Sequence, residues 1–240
     1  MIEIKNLYKK YNGVNVVENL SLSVGKGEVL GFLGPNGAGK STTMKMLTGF
    51  IEPSSGEIKI KGLSVNDSGY EIKKYIGYLP EGVPLYSEMT TYDFLLFIAN
   101  IRGIKKNYIR NSIEFLVESL SLHDVLNKKV EHLSKGFKRR VGIAQAIIHD
   151  PEILIMDEPT DGLDPNQKYD VRELIKKISK DKTIIISTHI LEEVEAVCTR
   201  VAIIAKGKLL FDDSISALLN FGSDNLDATF RKITLGKSLK

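Results

Sequence analysis

The chain has 240 residues, 42% hydrophobic and 26% charged, with 33 Lys and Arg against 30 Asp and Glu. This composition gives ample core and excludes a disordered chain, and a formal net charge of +3 is too small to announce nucleic acid as a partner. The longest apolar run, FLLFIANI at 94–101, falls far short of the roughly 20 residues needed to cross a bilayer, and a single cysteine, Cys198, excludes an internal disulfide framework. Met1 leads straight into IEIKNL with no secretory pattern, so the cytoplasm is the expected compartment. The basic doublets, such as Lys9-Lys10 and Lys73-Lys74, are scattered among acidic residues and read as solvated faces.

In chain order, IEIKNLYKKY and VVENLSLSV read as antiparallel strands laid beside a larger sheet. EVLGFLG (28–34) is a short apolar run ending in Gly, followed by the helical STTMKMLTGF. Where the two join, GPNGAGKST (34–42) fits G-x-x-x-x-G-K-[ST] with Gly34, Gly39, Lys40 and Ser41. Such glycines let consecutive N–H groups curl around an anion, and the following helix aims its positive end at the same place. Lys40 is placed to reach β- and γ-phosphates and Ser41 to ligate Mg²⁺; Pro35, Asn36, Gly37, Ala38 and Thr42 complete the loop.

EIKIKG (57–62) alternates with period two, and IGYLP (76–80) reads as a strand of the larger sheet. From about Tyr86 to Asn127 no strand signal appears, while Ile109, Ile113, Leu116, Val117 and Leu120 form one helical stripe, so a small helical lobe is inserted here. LSKGFKRR (133–140) then sets a Ser and a Gly among four basic residues, just ahead of the apolar-periodic VGIAQAII. That composition suits an anion seat, about ninety residues beyond the first.

ILIMDEPTDGLDP delivers Asp157 and Glu158 to the carboxyl end of an apolar strand, where ligands sit in open α/β sheets. Asp157 is placed to hold Mg²⁺, and Glu158 to poise a water for attack on a γ-phosphate; DEP alone also fits a polar strand end stopped by Pro. Asp164, Pro165 and Gln167 read as a helix start, with Val171, Leu174, Ile175 and Ile178 as its buried stripe. His189 closes the strand TIIIST, one strand along from the two carboxylates, where a donor to a phosphate oxygen is needed. Cys198, in the helical LEEVEAVC, reads as packing. After about Ser214 the signal weakens, and the end LGKSLK is expected to be mobile.

The predicted fold is α/β: a mainly parallel sheet flanked by helices, an N-terminal antiparallel β subdomain and an inserted helical subdomain, all in one domain. The core and antiparallel parts span about 1–85 and 150–213, the helical part about 86–149 and the tail about 214–240.

The series GPNGAGKS, LSKGF, ILIMDEPT, GLDP and STH resembles the nucleotide-binding subunits of ATP-binding cassette (ABC) transporters, over nearly the whole chain. The resemblance implies a P-loop NTPase core, ATP and Mg²⁺, and a head-to-tail pair of cassettes, either two copies or a copy and a paralogue. In such a pair Ser134 and Gly136 of one chain meet the γ-phosphate held by the other. It further implies that Tyr11 stacks on adenine, that Asp164 belongs to a loop crossing the dimer, and that His189 is the switch histidine. Integral membrane subunits are the implied partners, docking on the helical lobe and the Glu81 loop and holding the chain on the cytoplasmic face. Lys135 and Phe137 depart from the common LSGGQ signature, and Glu81 stands where most cassettes have a Gln that senses Mg²⁺. YLPE, LSKGF and AQAIIHDP resemble the ABC-2 type export branch, which includes multidrug exporters. The rival reading is a soluble ABC ATPase acting on nucleic acid or the ribosome. It is disfavoured because such proteins carry a duplicated cassette or a long coiled-coil insertion, and one P-loop with a short spacing to the signature fits neither. The absence of N-K-x-D disfavours GTP.

Overall fold

Residues 1–221 and 226–235 are described by the structure, a computed structural model. A six-stranded sheet forms the centre, built from β3 (Val29–Leu33), β6 (Ile76–Leu79), β7 (Ile153–Asp157), β8 (Thr183–Thr188), β9 (Arg200–Ala205) and β10 (Lys208–Ser214) in the order β10-β9-β3-β8-β7-β6. All neighbours are parallel except the edge strand β10, which returns antiparallel to β9. Strands β3, β7 and β8 are buried at every residue because helices or a second sheet cover both faces, which is why they read as unbroken apolar runs. The β9–β10 hairpin was not singled out in the sequence. Its two-residue turn, Lys206-Gly207, has positive φ at both positions, the geometry that suits the twist of a hairpin.

The second sheet is antiparallel, in the order β2-β1-β4-β5, from β1 (Ile2–Tyr11), β2 (Val14–Val24), β4 (Ser55–Ile60) and β5 (Leu63–Ser64). It contains the opening strands, as expected, and also takes in EIKIKG. Its inward residues Ile2, Ile4, Leu7, Leu20, Ile58 and Ile60 share one core with Leu30, Phe32, Ile155 and Ile185 of the central sheet. Met44, Met46 and Leu47 of helix α1 (Lys40–Leu47) belong to the same core. That core is the floor beneath the P-loop.

The opposite face carries the helical lobe. After the short α2 (Gly69–Ile72) and β6, the chain forms α3 (Thr91–Ile101), α4 (Lys106–Ser119) and α5 (Lys135–Ile147), and after β7 comes α6 (Pro165–Ser179). The predicted stripe of α4 is buried throughout: Ile109, Ile113, Leu116, Val117 and the following Leu120 pack with Phe94, Leu95, Val141 and Leu174. Main-chain bonds close the neck of the α3–α4 segment, from Thr91 N–H to Lys128 O (3.0 Å), Tyr92 to Leu126 (2.9 Å) and Val130 to Met89 (2.9 Å). Helix α5 lies tightly on β6: a Cβ at Gly77 would collide with the Ala146 carbonyl oxygen, so glycine is required there.

Beyond α7 (Leu191–Val197) and the hairpin, the weak signal after Ser214 conceals two helices, α8 (Ile215–Phe221) and α9 (Leu226–Leu235). Leu218 and Leu226, with Phe230 and Ile233, pack against Leu33, Val201 and Ile203 of the sheet. Of the LGKSLK end, Leu235 closes α9 and residues 236–240 lie outside the described residues. Cys198 packs against Gly31 and Val194, and burial pushes its thiol up to about 12, in keeping with a packing role.

Candidate nucleotide site

Strand β3 delivers the chain to the P-loop, and Gly34 N–H, donating to Thr188 O at 3.3 Å, ties the start of the loop to β8. Gly39 caps α1 with φ 103° and lies so near β2 that a Cβ would stand 2.6 Å from Val16 O. Only glycine satisfies both conditions. The first N–H groups of α1 face an open cleft of about 310 Å³ lined by Val16, Asn36, Gly37, Ala38, Gly39, Lys40, Ser41, Thr42, Glu81 and Glu158. Lys40 is 6% exposed and donates from Nζ to Gly34 O (2.7 Å) and Pro35 O (3.2 Å). Burial holds its ammonium below the ordinary lysine value, opposed by the carboxylates of Glu158, Asp157 and Glu81.

The β7–β8 pairing assembles the remaining chemistry. Asp157 is 1% exposed and sits opposite Ser187, whose Oγ donates to Asp157 Oδ1 at 2.6 Å. Glu158 follows with φ 51°, a left-handed conformation few glutamates adopt, and its N–H donates to Ser187 O at 2.8 Å. That turn sets its Oε1 3.8 Å from Lys40 Nζ and 2.9 Å from His189 Nδ1. His189 is held by the residue before it: Thr188 Oγ1 donates to Glu193 Oε2 (2.8 Å) and accepts from Ile190 N–H (3.1 Å), fixing the turn at the end of β8. Burial raises the Glu193 carboxyl above its ordinary value. Ser187 and Glu193 were missed in the sequence. The signal for Ser187 was the register of TIIIST against ILIMD, which the sequence leaves unspecified.

Gly34, Pro35, Asp157 and His189 adjoin residues of this cleft without lining it, and Tyr11, Ser134, Gly136 and Asp164 do not line it either. Tyr11, at the end of β1, is 47% exposed, with Lys9 Nζ 5.2 Å from its ring centre. Asp164 caps α6 by accepting Gln167 N–H at 3.0 Å, with Pro165 in the first turn, as its spacing predicts. Ser134 caps α5, accepting Phe137 N–H at 3.3 Å, and Gly136 is buried facing Gln167 of α6.

Within 133–140 the four basic side chains, expected to form an anion seat, instead have partners inside the chain, a correction that does not extend to Ser134 or the α5 N-terminus. Lys135 Nζ bonds Asp161 Oδ2 at 2.7 Å, and this contact holds the Asp161 carboxyl below its ordinary value. Lys138 Nζ lies 3.4 Å from Glu131 O. Arg140 is buried, donating to Leu120 O (2.6 Å) and Ser121 O (3.0 Å) beneath the Phe137 ring. Arg139, also buried, donates to the carbonyls of Pro80, Glu81, Asp157, Glu158 and Pro159. Composition counted the charges but not their directions, and the helical period turns both arginines inward.

A family model described as ABC transporter matches residues 17–161. The chain belongs to the ABC transporter family. Among its relatives this ABC cassette is 42% identical over 212 residues to the bacitracin transport ATP-binding protein BcrA of Bacillus licheniformis, covering 88% of this chain and 68% of that one. It is 36% identical over 219 residues to the Nod factor export ATP-binding protein I of Burkholderia orbicola (strain AU 1054), covering 91% and 72%. Its fold superposes on a solved ATP binding subunit of an ABC transporter with a TM-score of 0.90 and 31% identity, over 97% of this chain and 99% of that one. The cassette is thus an ATP-binding, ATP-hydrolysing subunit on the P-loop fold expected from the sequence. Among the described residues no helix is long and apolar enough to cross a membrane.

Proposed function

We propose that this cassette powers export through separate membrane subunits, with ATP hydrolysed at the P-loop cleft and Glu158 as the general base. The observation that carries the reading is the position of Glu158 at the cleft, its carboxylate between Lys40 Nζ at 3.8 Å and His189 Nδ1 at 2.9 Å. Lys40 and the α1 N–H groups hold the phosphates, Glu158 accepts the proton of the attacking water, and His189 orients the Glu158 carboxylate and donates toward the γ-phosphate. Tyr11 takes the adenine.

The donor set suits Mg²⁺. Ser41, Glu81 and Asp157 offer hard oxygens, and among the described residues no cluster of three His, Cys, Asp or Glu side chains could hold a metal alone. A cation that leans on one or two carboxylates and the phosphates themselves fits such a site, where it would neutralise charge developing on the phosphate oxygens.

Two cassettes, two copies or a copy and a paralogue, close head to tail, so that exposed Ser134 and the α5 N-terminus of one meet the nucleotide of the other, with Gly136 and Asp164 beside the joint. Exposed Tyr86, edge to face at 5.5 Å with half-buried Phe97 on the helical lobe, gives an aromatic surface that supports docking of a membrane subunit there. The export name of one relative, the Nod factor export ATP-binding protein I, supports the direction of transport.

Replacing the proposed base tests the reading. Glu158→Gln should lower ATP turnover by about a hundredfold to ten-thousandfold while leaving nucleotide affinity within about threefold. Turnover near that of the wild type in a folded, ATP-binding variant would end the assignment.

A further inference from the structure

We propose that Arg139 is a positioning residue for hydrolysis: from the signature helix it sets the main chain of the two loops that carry Glu81 and Glu158. Arg139 is 3% exposed, and its guanidinium donates to main-chain carbonyls. Nη1 donates to Pro80 O and Glu81 O, both at 2.9 Å, where the chain leaves β6 for the helical lobe. Nη2 donates to Asp157 O and Glu158 O, and Nε to Pro159 O at 3.3 Å, where the chain leaves β7. A planar fork of five donors is the one side chain able to serve two loops at once, which a lysine ammonium cannot reproduce.

The Glu158 backbone gives the contact its purpose. A non-glycine residue at φ 51° persists only where its surroundings over-determine it. Here its N–H is taken by Ser187 O, and its carbonyl receives both Arg139 and Asp161 N–H. The peptide planes on either side of Glu158 are thereby fixed, and with them the direction of its carboxylate. Without Arg139 the five carbonyls lose a buried donor and the turn relaxes toward ordinary φ values. Burial holds the Arg139 guanidinium below its ordinary value, opposed by the nearby carboxylates of Asp161, Asp157, Glu158 and Glu81. Because Arg139 rides on α5, one turn beyond Ser134, any displacement of the signature helix reaches Glu158 through the fork.

The inference rests on Glu158 as base, and the test separates the two. Arg139→Gln and Arg139→Lys would be prepared in the full chain and in a Glu158→Gln background. Melting temperature, affinity for a fluorescent ATP analogue and steady-state kcat and KM would be measured for each. We expect kcat to fall about tenfold to a hundredfold while analogue affinity stays within about threefold, since Arg139 contacts no P-loop atom. In the Glu158→Gln background the same change should lower kcat less than about twofold, because a residue acting through Glu158 has nothing left to position. Unchanged kcat in a folded variant, equal losses in both backgrounds, or failure of both variants to melt cooperatively would overturn the proposal. Wild-type turnover in Glu158→Gln alone would instead remove the base reading.

Discussion

His149 follows α5, and its imidazole is half-buried, with Nε2 3.2 Å from Ile76 O. Burial, helped by the nearby Arg102 and Lys182 cations, lowers its pKa from 6.5 to about 4. The unfolded chain therefore binds a proton on this side chain between about pH 6.5 and 4 that the folded chain does not. Stability from the neutral ring is complete above pH 6.5 and is lost as pH falls toward 4. The loss should reach roughly 2 kcal/mol after allowance for partial solvation. Denaturant unfolding at pH 7.5 and 4.5 should show the wild type losing more stability than His149→Gln; equal losses would mean the ring is protonated in the fold. The residues legible in the sequence were those whose chemistry lies in contiguous motifs, such as Lys40, Ser41, Asp157 and Glu158. Ser187, Glu193 and Arg139 act across strand pairings and helix faces, which a linear reading does not supply.

Helix α3 is fixed at its start by a reciprocal cap: Thr90 Oγ1 accepts Asp93 N–H at 3.1 Å and donates to Asp93 Oδ2 at 2.7 Å. Thr90→Ala should lower unfolding free energy by about 1 kcal/mol, read by urea denaturation. Leu116→Ala on the fully buried stripe of α4 should remove about 2–5 kcal/mol, the difference between losing one cap and opening a cavity. The amphipathic helices α4 and α6 announced themselves by period, and the fully buried strands β7 and β8 by unbroken apolar runs. The C-terminal helices were missed for different reasons: α8 is short, while α9 carries an i, i+4, i+7 stripe of Leu226, Phe230 and Ile233 that the sequence reading passed over. The four basic residues of 133–140 are the reverse case, where a strong compositional signal pointed outward and the helix turned two of them in.

At the scale of the whole molecule, the cleft holds one set of groups and the exposed α5 N-terminus another, and closure of two cassettes would bring them together. Ser134→Glu sets a like charge where a γ-phosphate is to arrive, at the expense of a cap worth about 1 kcal/mol. Light scattering should find ATP-dependent dimers of Glu158→Gln and only monomers of Glu158→Gln/Ser134→Glu, with ATP affinity of the monomer preserved. Dimers in both would show that Ser134 does not face nucleotide.

The closed neck of the α3–α4 segment has a consequence for how this surface can change. Main-chain bonds between residues 89–92 and 126–130 already join the two ends of the segment, so lengthening its α3–α4 connection adds little loop entropy as long as the apolar stripe that packs on α5 and α6 is kept. The α3–α4 segment behaves as a head on a constant engine: its outer face can change, which on the proposed docking reading is what a different membrane partner would require, while the ATP chemistry behind the neck keeps its geometry.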